Sequence, residues 1–549
     1  MVENPRIVII GGVAGGMSAA TRLRRLMEHA SITVIERSAN VSYANCGLPY
    51  HVGGIIPERD SLLLQTPESL HRRFNLDVRI SHEASNINRD SKTLDVLNLL
   101  TGESETLAWD YLILSPGARP VLPPIEGIER AYTLRTVEDA DTLIAASADA
   151  KRVVVMGGGF IGLELAENFR HRGLSVDLVE AAPQLMAPID IEMAHYVHEH
   201  MAENGVNVHL DSRVTAIGEH SVTLDNGDVI ETDLVVSAIG VRPDSSIADA
   251  AGLETNEVGA IKVDALQRTN DPAIFAIGDA TETRNANGDA AFIPLAGPAN
   301  RQGRLVADVI AGNTVRVPNS LGTSILGVFG LQVAATGRNE RVLRAQGQEV
   351  RVIHTHPLNH AGYHPGAKTL RLKLIVDPVT DDILGAQAIG AEGADKRIDV
   401  IATAMRGGLK ASDLIDLDLS YAPQFGSAKD PVNMLGYINA NQHTGGSTTV
   451  QWHEVDELVA AGTQLIDVRT PAEFAANSIP GAINIELDTL RDHIDEIEQG
   501  AIVHCAVGLR GYLATRVLAG YGIESSNLDG GISTWTAGIS TKKPVAANA

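Results

Sequence analysis

Two stretches of the chain repeat one hydrophobic pattern. "RIVIIGGVAGGMSAATRLRRL" (6–26) and "RVVVMGGGFIGLELAENF" (152–169) each pass from an unbroken apolar, β-branched run through clustered glycines into a segment of helical period. Each is followed by a shorter apolar run ending on an acid: "SITVIER" with Glu36 and "LSVDLVE" with Glu180. Continuous apolar runs between helices predict parallel strands buried on both faces, so the pattern predicts two βαβ units. "VTLDNGDVIETDLVVSAIG" predicts a hairpin returning to a buried strand, and "AIFAIGDA" (273–280) a further buried strand ending in Gly-Asp. From about 325 to 440, strands such as "LRLKLIVD" mix with the helical segment "KRIDVIATAMRGG". "NQHTGGSTT" (441–449) is polar and contains glycine, which predicts a linker. Beyond it "LIDVR", "INIEL" and "AIVHC" alternate with helical segments, the pattern of a small α/β domain.

Length and charge narrow the class. A chain of 549 residues exceeds one core and predicts about three to five domains. No apolar run is long enough to span a bilayer, and "MVENPRIVIIGG" has no basic segment leading into a long apolar one, so neither a membrane span nor a signal peptide is expected. Two cysteines cannot build a disulfide framework and fit a cytoplasmic setting. A net charge of −24 argues against nucleic acid or an anionic membrane as partner.

The glycine turns carry the first chemistry. Between strand and helix, glycines let backbone N–H groups approach a pyrophosphate, and the acid ending the next strand binds a ribose diol. Gly157, Gly159 and Gly162 form G-x-G-x-x-G, with Glu180 close to the usual spacing beyond. Glu180 followed by Ala181 and Ala182 offers no cation for a 2′-phosphate, so NADH is expected rather than NADPH. In the first copy Gly11 and Gly16 fit, but Val13 takes the middle position, with Gly12 and Gly15 as neighbours. Together with "AIGDA", "YLILSPGARP" (111–120) and "LVVSAIGVRP" (234–243), these units resemble the flavoprotein disulfide reductases that bind two dinucleotides, over roughly residues 5–440. The resemblance implies FAD and NAD(H) as cofactors, with Asp279 on the FAD ribitol and "LAGPANRQGR" (295–304) starting a helix aimed at the flavin ring. Its cofactor-binding positions fall on Gly11, Gly12, Ala14, Gly15, Gly16, Glu36, Arg37, Asn45, Asp279, Pro298 and Ala299, and on Gly157, Gly159, Gly162, Glu180 and Gly240.

Most members of that superfamily hold two neighbouring cysteines. In "SYANCGLPY" (42–50) Cys46 is alone; the other cysteine is Cys505. A redox partner sulfur or oxygen must therefore come from outside, as mixed disulfide, persulfide or sulfenic acid. The stretch resembles the single-cysteine branch of coenzyme A disulfide reductases and NADH-dependent persulfide reductases, which implies Cys46 as nucleophile with Ser42 and Asn45 at the substrate. Pro49 suits a helix start, a context that favours a thiolate over an inert buried thiol. Coenzyme A needs cations: Arg22, Arg24, Arg25, Arg72 and Arg73 cluster in "TRLRRL" and "HRRF", with a solvated helix face as the alternative. The resemblance places Ser18, Arg22, Arg25, Arg73 and Lys429 at the coenzyme A site. It also implies that Tyr363 and Tyr421 reach the cysteine of a partner subunit, hence a homodimer; a core position is the alternative for Tyr363. Where the family more often has Pro-Pro, this chain has Pro423-Gln424.

Cys505 ends a buried strand and opens "CAVGLRG" before a helix. Such a loop aims N–H groups at its centre, depresses a thiol pKa and holds an anionic adduct, with Arg510 adding charge. "LIDVRTPAEFAANSIPGAINI", with Asp467 and Arg469, and "NLDGGISTW" complete a resemblance to a rhodanese domain, and the six-residue spacing from Cys505 to Arg510 is that of a sulfurtransferase loop. The fold expected is α/β: an FAD domain (1–116 and 244–322), an NAD(H) domain (117–243), an α+β dimerisation domain (323–440), a linker (441–449) and a rhodanese domain (450–545). The function expected is NADH-dependent reduction of coenzyme A persulfide or polysulfide through Cys46, with Cys505 carrying sulfane sulfur. Coenzyme A disulfide reduction, a peroxidase or oxidase acting through Cys46 sulfenic acid, and a sulfur carrier or redox sensor are the alternatives.

Overall fold

The computed structural model describes residues 4–540, so residues 541–545 of the expected C-terminal domain lie outside the described residues. The chain forms two compact units: one runs to Val179 and includes Ser212–Gly322, the other takes Glu180–Asp211 and the chain from Thr323 onward.

In the first unit five parallel strands form one sheet in the order Ile274–Ala276, Tyr111–Leu114, Arg6–Ile10, Ser31–Ile35, Asp77–Arg79. Side chains alternate across a strand. Ile7 and Ile9 accordingly join a core with Leu23, Ile32 and Val306, while Val8 and Ile10 join another with Trp109, Leu112 and Ile274. Burial on both faces is why the strand reads as a continuous apolar run. A second parallel set joins Ser175–Val179, Arg152–Met156 and Leu234–Ser237, with the helix Phe160–His171 following its glycine turn. The expected hairpin pairs Ser221–Leu224 with Val229–Glu231 about Gly227, whose φ of +90° suits the turn. The two segments read as interdomain crossovers pair with each other, Ala118–Pro120 against Val241–Pro243.

In the second unit an antiparallel sheet runs Ser324–Val328, Leu331–Gly337, Ile383–Gly390, Arg371–Val376, Arg351–Thr355. The helices Ala394–Gly407 and Pro431–His443 cover it through Ile398, Ile401, Val432 and Leu435. A separate parallel sheet follows, ordered Thr448–Val450, Ser525–Leu528, Ala501–His504, Leu465–Asp467, Ala482–Asn484. The stretch read as a linker, 441–449, contains the end of the second of these helices, which runs to His443, and the start of the strand at Thr448. Asp430 caps that helix and Pro431 opens it, so polar residues at its far end continue the backbone ladder. The turn between is tied down: Ser447 N–H donates to Asn441 O at 3.0 Å, and Arg516 donates to Gly446 O at 2.6 Å. Among the described residues no helix is long and apolar enough to cross a membrane.

Candidate active site

The first glycine turn is built by close approach. Gly11 has φ +98°, and a Cβ on Gly16 would stand 1.9 Å from Gly11 O, so the helix Ala14–Leu26 can start only if that residue is bare. Ala14 opens the helix, and Gly15 is buried within it. A Cβ on Gly303 would lie 2.3 Å from Gly15 O, and Gly278 faces Ala299, so the first turn, the Gly-Asp turn and the helix Ala296–Ile310 that holds Pro298 and Ala299 meet at one place. Gly278 N–H donates to Gln302 Oε1 at 2.7 Å.

Glu36 takes N–H donors from Gly12 (2.7 Å) and Ser38 (2.8 Å), and burial pushes its carboxyl pKa up against those bonds. Asp279 is half-buried; among the described residues no hydrogen bond reaches its carboxylate, and burial lifts its pKa to about 6 against the pull of Arg135. A desolvated acid without a donor, above a bare glycine turn, fits a ligand that brings hydroxyls and phosphates, as FAD does. Arg37 is exposed and pairs with Glu83 at 3.5 Å. The second turn repeats the device: a Cβ on Gly162 would stand 1.9 Å from Gly157 O, while Gly159 and Gly240 face open space. Glu180 Oε1 accepts the Ala182 N–H at 2.8 Å.

Cys46 lies exposed in the 3₁₀ turn Asn45–Gly47, ahead of the short helix Leu48–Val52 that carries Pro49. Ser42 donates its N–H to Gly12 O at 2.8 Å with φ +50°, tying the cysteine segment to the glycine turn. The expectation of a thiolate is not met by the chain alone. Protein around the sulfur desolvates it, and the Glu164 and Asp279 carboxylates raise its pKa further. Five helical residues carry too little dipole to offset two anions. Glu164 was passed over in the sequence although it stands in "FIGLELAENF". Burial lifts its pKa to about 7, and Tyr50 OH lies 3.4 Å from its Oε1.

The arginine cluster divides. Arg24 is buried and donates to the carbonyls of Phe74 (2.8 Å), Asn75 (2.8 Å) and Ala30 (2.9 Å), closing helix C-termini rather than meeting a ligand. Arg22 is held by Asp308 at 2.7 Å. Ser18 Oγ donates to Asn300 Oδ1 at 2.5 Å. Arg25, Arg72 and Arg73 are exposed, with no ion pair among the described residues.

In the second unit Tyr363 and Tyr421 join hydroxyl to hydroxyl at 2.9 Å. Tyr363 is 76% exposed, which removes the core alternative. Lys429 lies 5.9 Å from the Tyr437 ring.

Cys505 is buried, and the Gly508 N–H points at its Sγ from 3.2 Å. Gly508, with φ +95°, caps the helix Leu509–Gly520. Asp467 and Arg469 form a buried pair at 2.6 Å. His504 is buried without a hydrogen bond at either ring nitrogen, and burial lowers its pKa. Arg510 brings the loop a charge that is shared: its fork meets Glu473 at 2.8 and 2.6 Å, which holds the Glu473 carboxyl down to about 2, and the same guanidinium also reaches the Cys505 sulfur. Glu473 had a local signal in the capping box it forms with Thr470.

The description "Pyridine nucleotide-disulphide oxidoreductase" matches residues 5–303, its dimerisation domain residues 323–431, and a rhodanese-like domain residues 451–538. Over 437 residues the chain is 33% identical to Coenzyme A disulfide reductase of Staphylococcus aureus (strain JH9), taking in 79% of this chain and 99% of the relative. The crystal structure of reduced Bacillus anthracis CoADR-RHD is similar with a TM-score of 0.96 at 48% identity, over 97% of this chain and 98% of that one. The NAD-dependent persulfide reductase from A. fulgidus is similar with a TM-score of 0.90 at 36% identity, over 96% of this chain and all (100%) of that one.

Proposed function

The chain belongs to the pyridine nucleotide-disulphide oxidoreductases, with a rhodanese-like domain behind them, and from this premise we propose that it is an NADH-dependent reductase of coenzyme A persulfide or polysulfide that releases sulfide. The observation that carries the reading is Cys46: exposed, unpaired, and the one cysteine of its unit. A lone accessible thiol takes its sulfur partner from the substrate.

The turn at Gly11, with Glu36 and Asp279, would hold FAD, and the turn at Gly157, with Glu180, would hold NAD(H). FAD, when bound, supplies the two-electron relay between nicotinamide and sulfur. Cys46 Sγ forms a bond to the outer sulfur of the persulfide, the substrate's S–S bond breaks, and coenzyme A leaves as its thiol. Two electrons originating on NADH, with a proton, then release sulfide and restore the Cys46 thiol. Glu164, titrating near neutrality beside Cys46, can hold that proton at its carboxyl oxygens. Glu180 with Ala181 and Ala182 beyond it supports NADH over NADPH. Arg25 and Arg73, exposed and without an ion pair, suit the phosphates of coenzyme A. The dimerisation domain supports a homodimer in which Tyr363 and Tyr421 serve the partner's site. Cys505 carries sulfane sulfur.

The coenzyme A disulfide reductase relative favours a second reading, reduction of coenzyme A disulfide with the rhodanese-like domain as accessory. Steady-state kcat/KM on coenzyme A persulfide and on coenzyme A disulfide separates the two. Faster persulfide turnover is expected; faster disulfide turnover overturns the proposal.

A further inference from the structure

The segment that follows the buried Cys505 carries exposed apolar side chains and paired charges. Val507, in the loop itself, is 36% exposed, Leu509 56% and Leu513 45%. Leu509 and Leu513 stand one turn apart on the helix that follows the loop, so they share a face. The loop's cation is offset: both prongs of Arg510 are on the Glu473 carboxylate, so the charge it turns toward Cys505 is already matched by an anion. The nearby Arg469 is closed on Asp467. Burial lowers the pKa of His504 against the pull of Asp467. Among the described residues, therefore, each cation of this loop and of the Asp467–Arg469 turn already has a carboxylate partner, which leaves little excess positive charge for a second negative one.

We infer that Glu473 and this apolar rim set the sulfur donor of Cys505: an organic persulfide on an uncharged, methylene-bearing arm, in preference to the inorganic dianion thiosulfate. The inference rests on the proposed role of Cys505 and adds its donor class. Loading from an organic persulfide forms a bond between Cys505 Sγ and the outer sulfur and breaks the donor's S–S bond. The donor leaves as a thiol, taking up the proton that Cys505 gives, with no net electron transfer. The leaving group passes through a single negative charge, one fewer than sulfite carries. Thiosulfate would expel sulfite, a dianion, beside a carboxylate that already occupies the arginine fork. The arm of the organic donor lies against Leu509 and Leu513, where it removes apolar surface from water.

The test uses the full-length, FAD-loaded protein carrying Cys46→Ser, so that reduction cannot consume the product. Mass spectrometry follows the addition of one sulfur to Cys505 from thiosulfate and from N-acetylcysteamine persulfide. Intrinsic donor reactivity cancels in the ratio of the two rates, and the readout is the change of that ratio. Glu473→Gln frees the Arg510 fork and is expected to shift the ratio toward thiosulfate by about tenfold, the scale of one charge-assisted hydrogen bond. Leu509→Lys alters an exposed position and is expected to shift it the same way. An unchanged ratio in both variants overturns the inference; should Glu473→Gln fail to fold, an unchanged ratio in Leu509→Lys alone does so. Failure of the reductase proposal would show separately, as absent NADH oxidation with coenzyme A persulfide when Cys46 is intact.

Discussion

His354 Nδ1 stands 2.7 Å from Asp529 Oδ2, and its Nε2 stands 3.0 Å from Glu192 Oε1. A ring that meets a carboxylate at each nitrogen donates from both, and so is a cation. His354 sits on the strand Arg351–Thr355, and Asp529 follows the strand Ser525–Leu528 of the C-terminal domain. The pair therefore fastens that domain to the antiparallel sheet. Lys373, on the neighbouring strand and fully buried, meets Asp190 at 2.9 Å and Glu340 at 2.7 Å in the same network. His356 stays neutral, its pKa lowered by burial to about 3, and meets Thr534 Oγ1 at 2.8 Å.

This contact is predicted to loosen in alkali. Burial opposes charge on His354, but hydrogen bonds to Asp529 and Glu192 outweigh it and hold its pKa at about 9. A histidine whose folded pKa is raised contributes fully below its unfolded value and loses that contribution as pH rises through the folded one. The thermal stability of the wild type should fall between about pH 6.5 and 9. His354→Gln should cost about 3 kcal/mol at neutral pH and show a flatter pH profile, since it leaves two buried carboxylates with one partner fewer. Parallel profiles for the two proteins would refute the assignment.

Arg24 and Arg25, adjacent in sequence, are predicted to separate in function. Arg24→Ala should destabilise the protein by about 2–3 kcal/mol by orphaning buried helix-terminal carbonyls, with little change in the KM for a coenzyme A substrate once folded. Arg25→Ala should leave the unfolding temperature in place and raise that KM several-fold. Calorimetry and steady-state kinetics check both; identical behaviour of the two variants would count against the division.

Cys46→Ser is predicted to abolish sulfide release from persulfide while NADH still bleaches the flavin absorbance. In the apoprotein, alkylation of Cys46 should require a pH above that of an ordinary thiol, because burial, Glu164 and Asp279 all raise its pKa. Glu164→Gln should move the alkylation profile down. An unmoved profile would mean that the Glu164 charge does not reach the sulfur.

Asp279→Ala is predicted to weaken FAD retention by about tenfold, the effect of losing a hydrogen bond to a charged acceptor. The ratio of flavin to protein absorbance after dialysis measures it. Full flavin occupancy in the variant would remove Asp279 from the cofactor site.

The glycine turns were legible because their determinants are local. A bare residue is needed where Gly16 meets the Gly11 carbonyl five positions earlier in the chain, and strands buried on both faces betray themselves as unbroken apolar runs. The helix through His443 was not legible, since polar residues at a helix end read like a linker. Glu473 stood in plain view as a helix-capping acid, and only the folded chain shows its second oxygen on Arg510.

From the chain alone came the βαβ repeats, the solitary Cys46 and the strand–loop–helix around Cys505, because each depends on residues a few positions apart. Folding alone decided which charges stay available. Arg24 and Arg25 are the same residue type one position apart, yet one is spent on carbonyls and the other faces water. Arg510 and His354 acquire their partners from residues 37 and 175 positions away. A side chain's charge is set by what it meets in space after water is removed, and one-dimensional order does not carry that information.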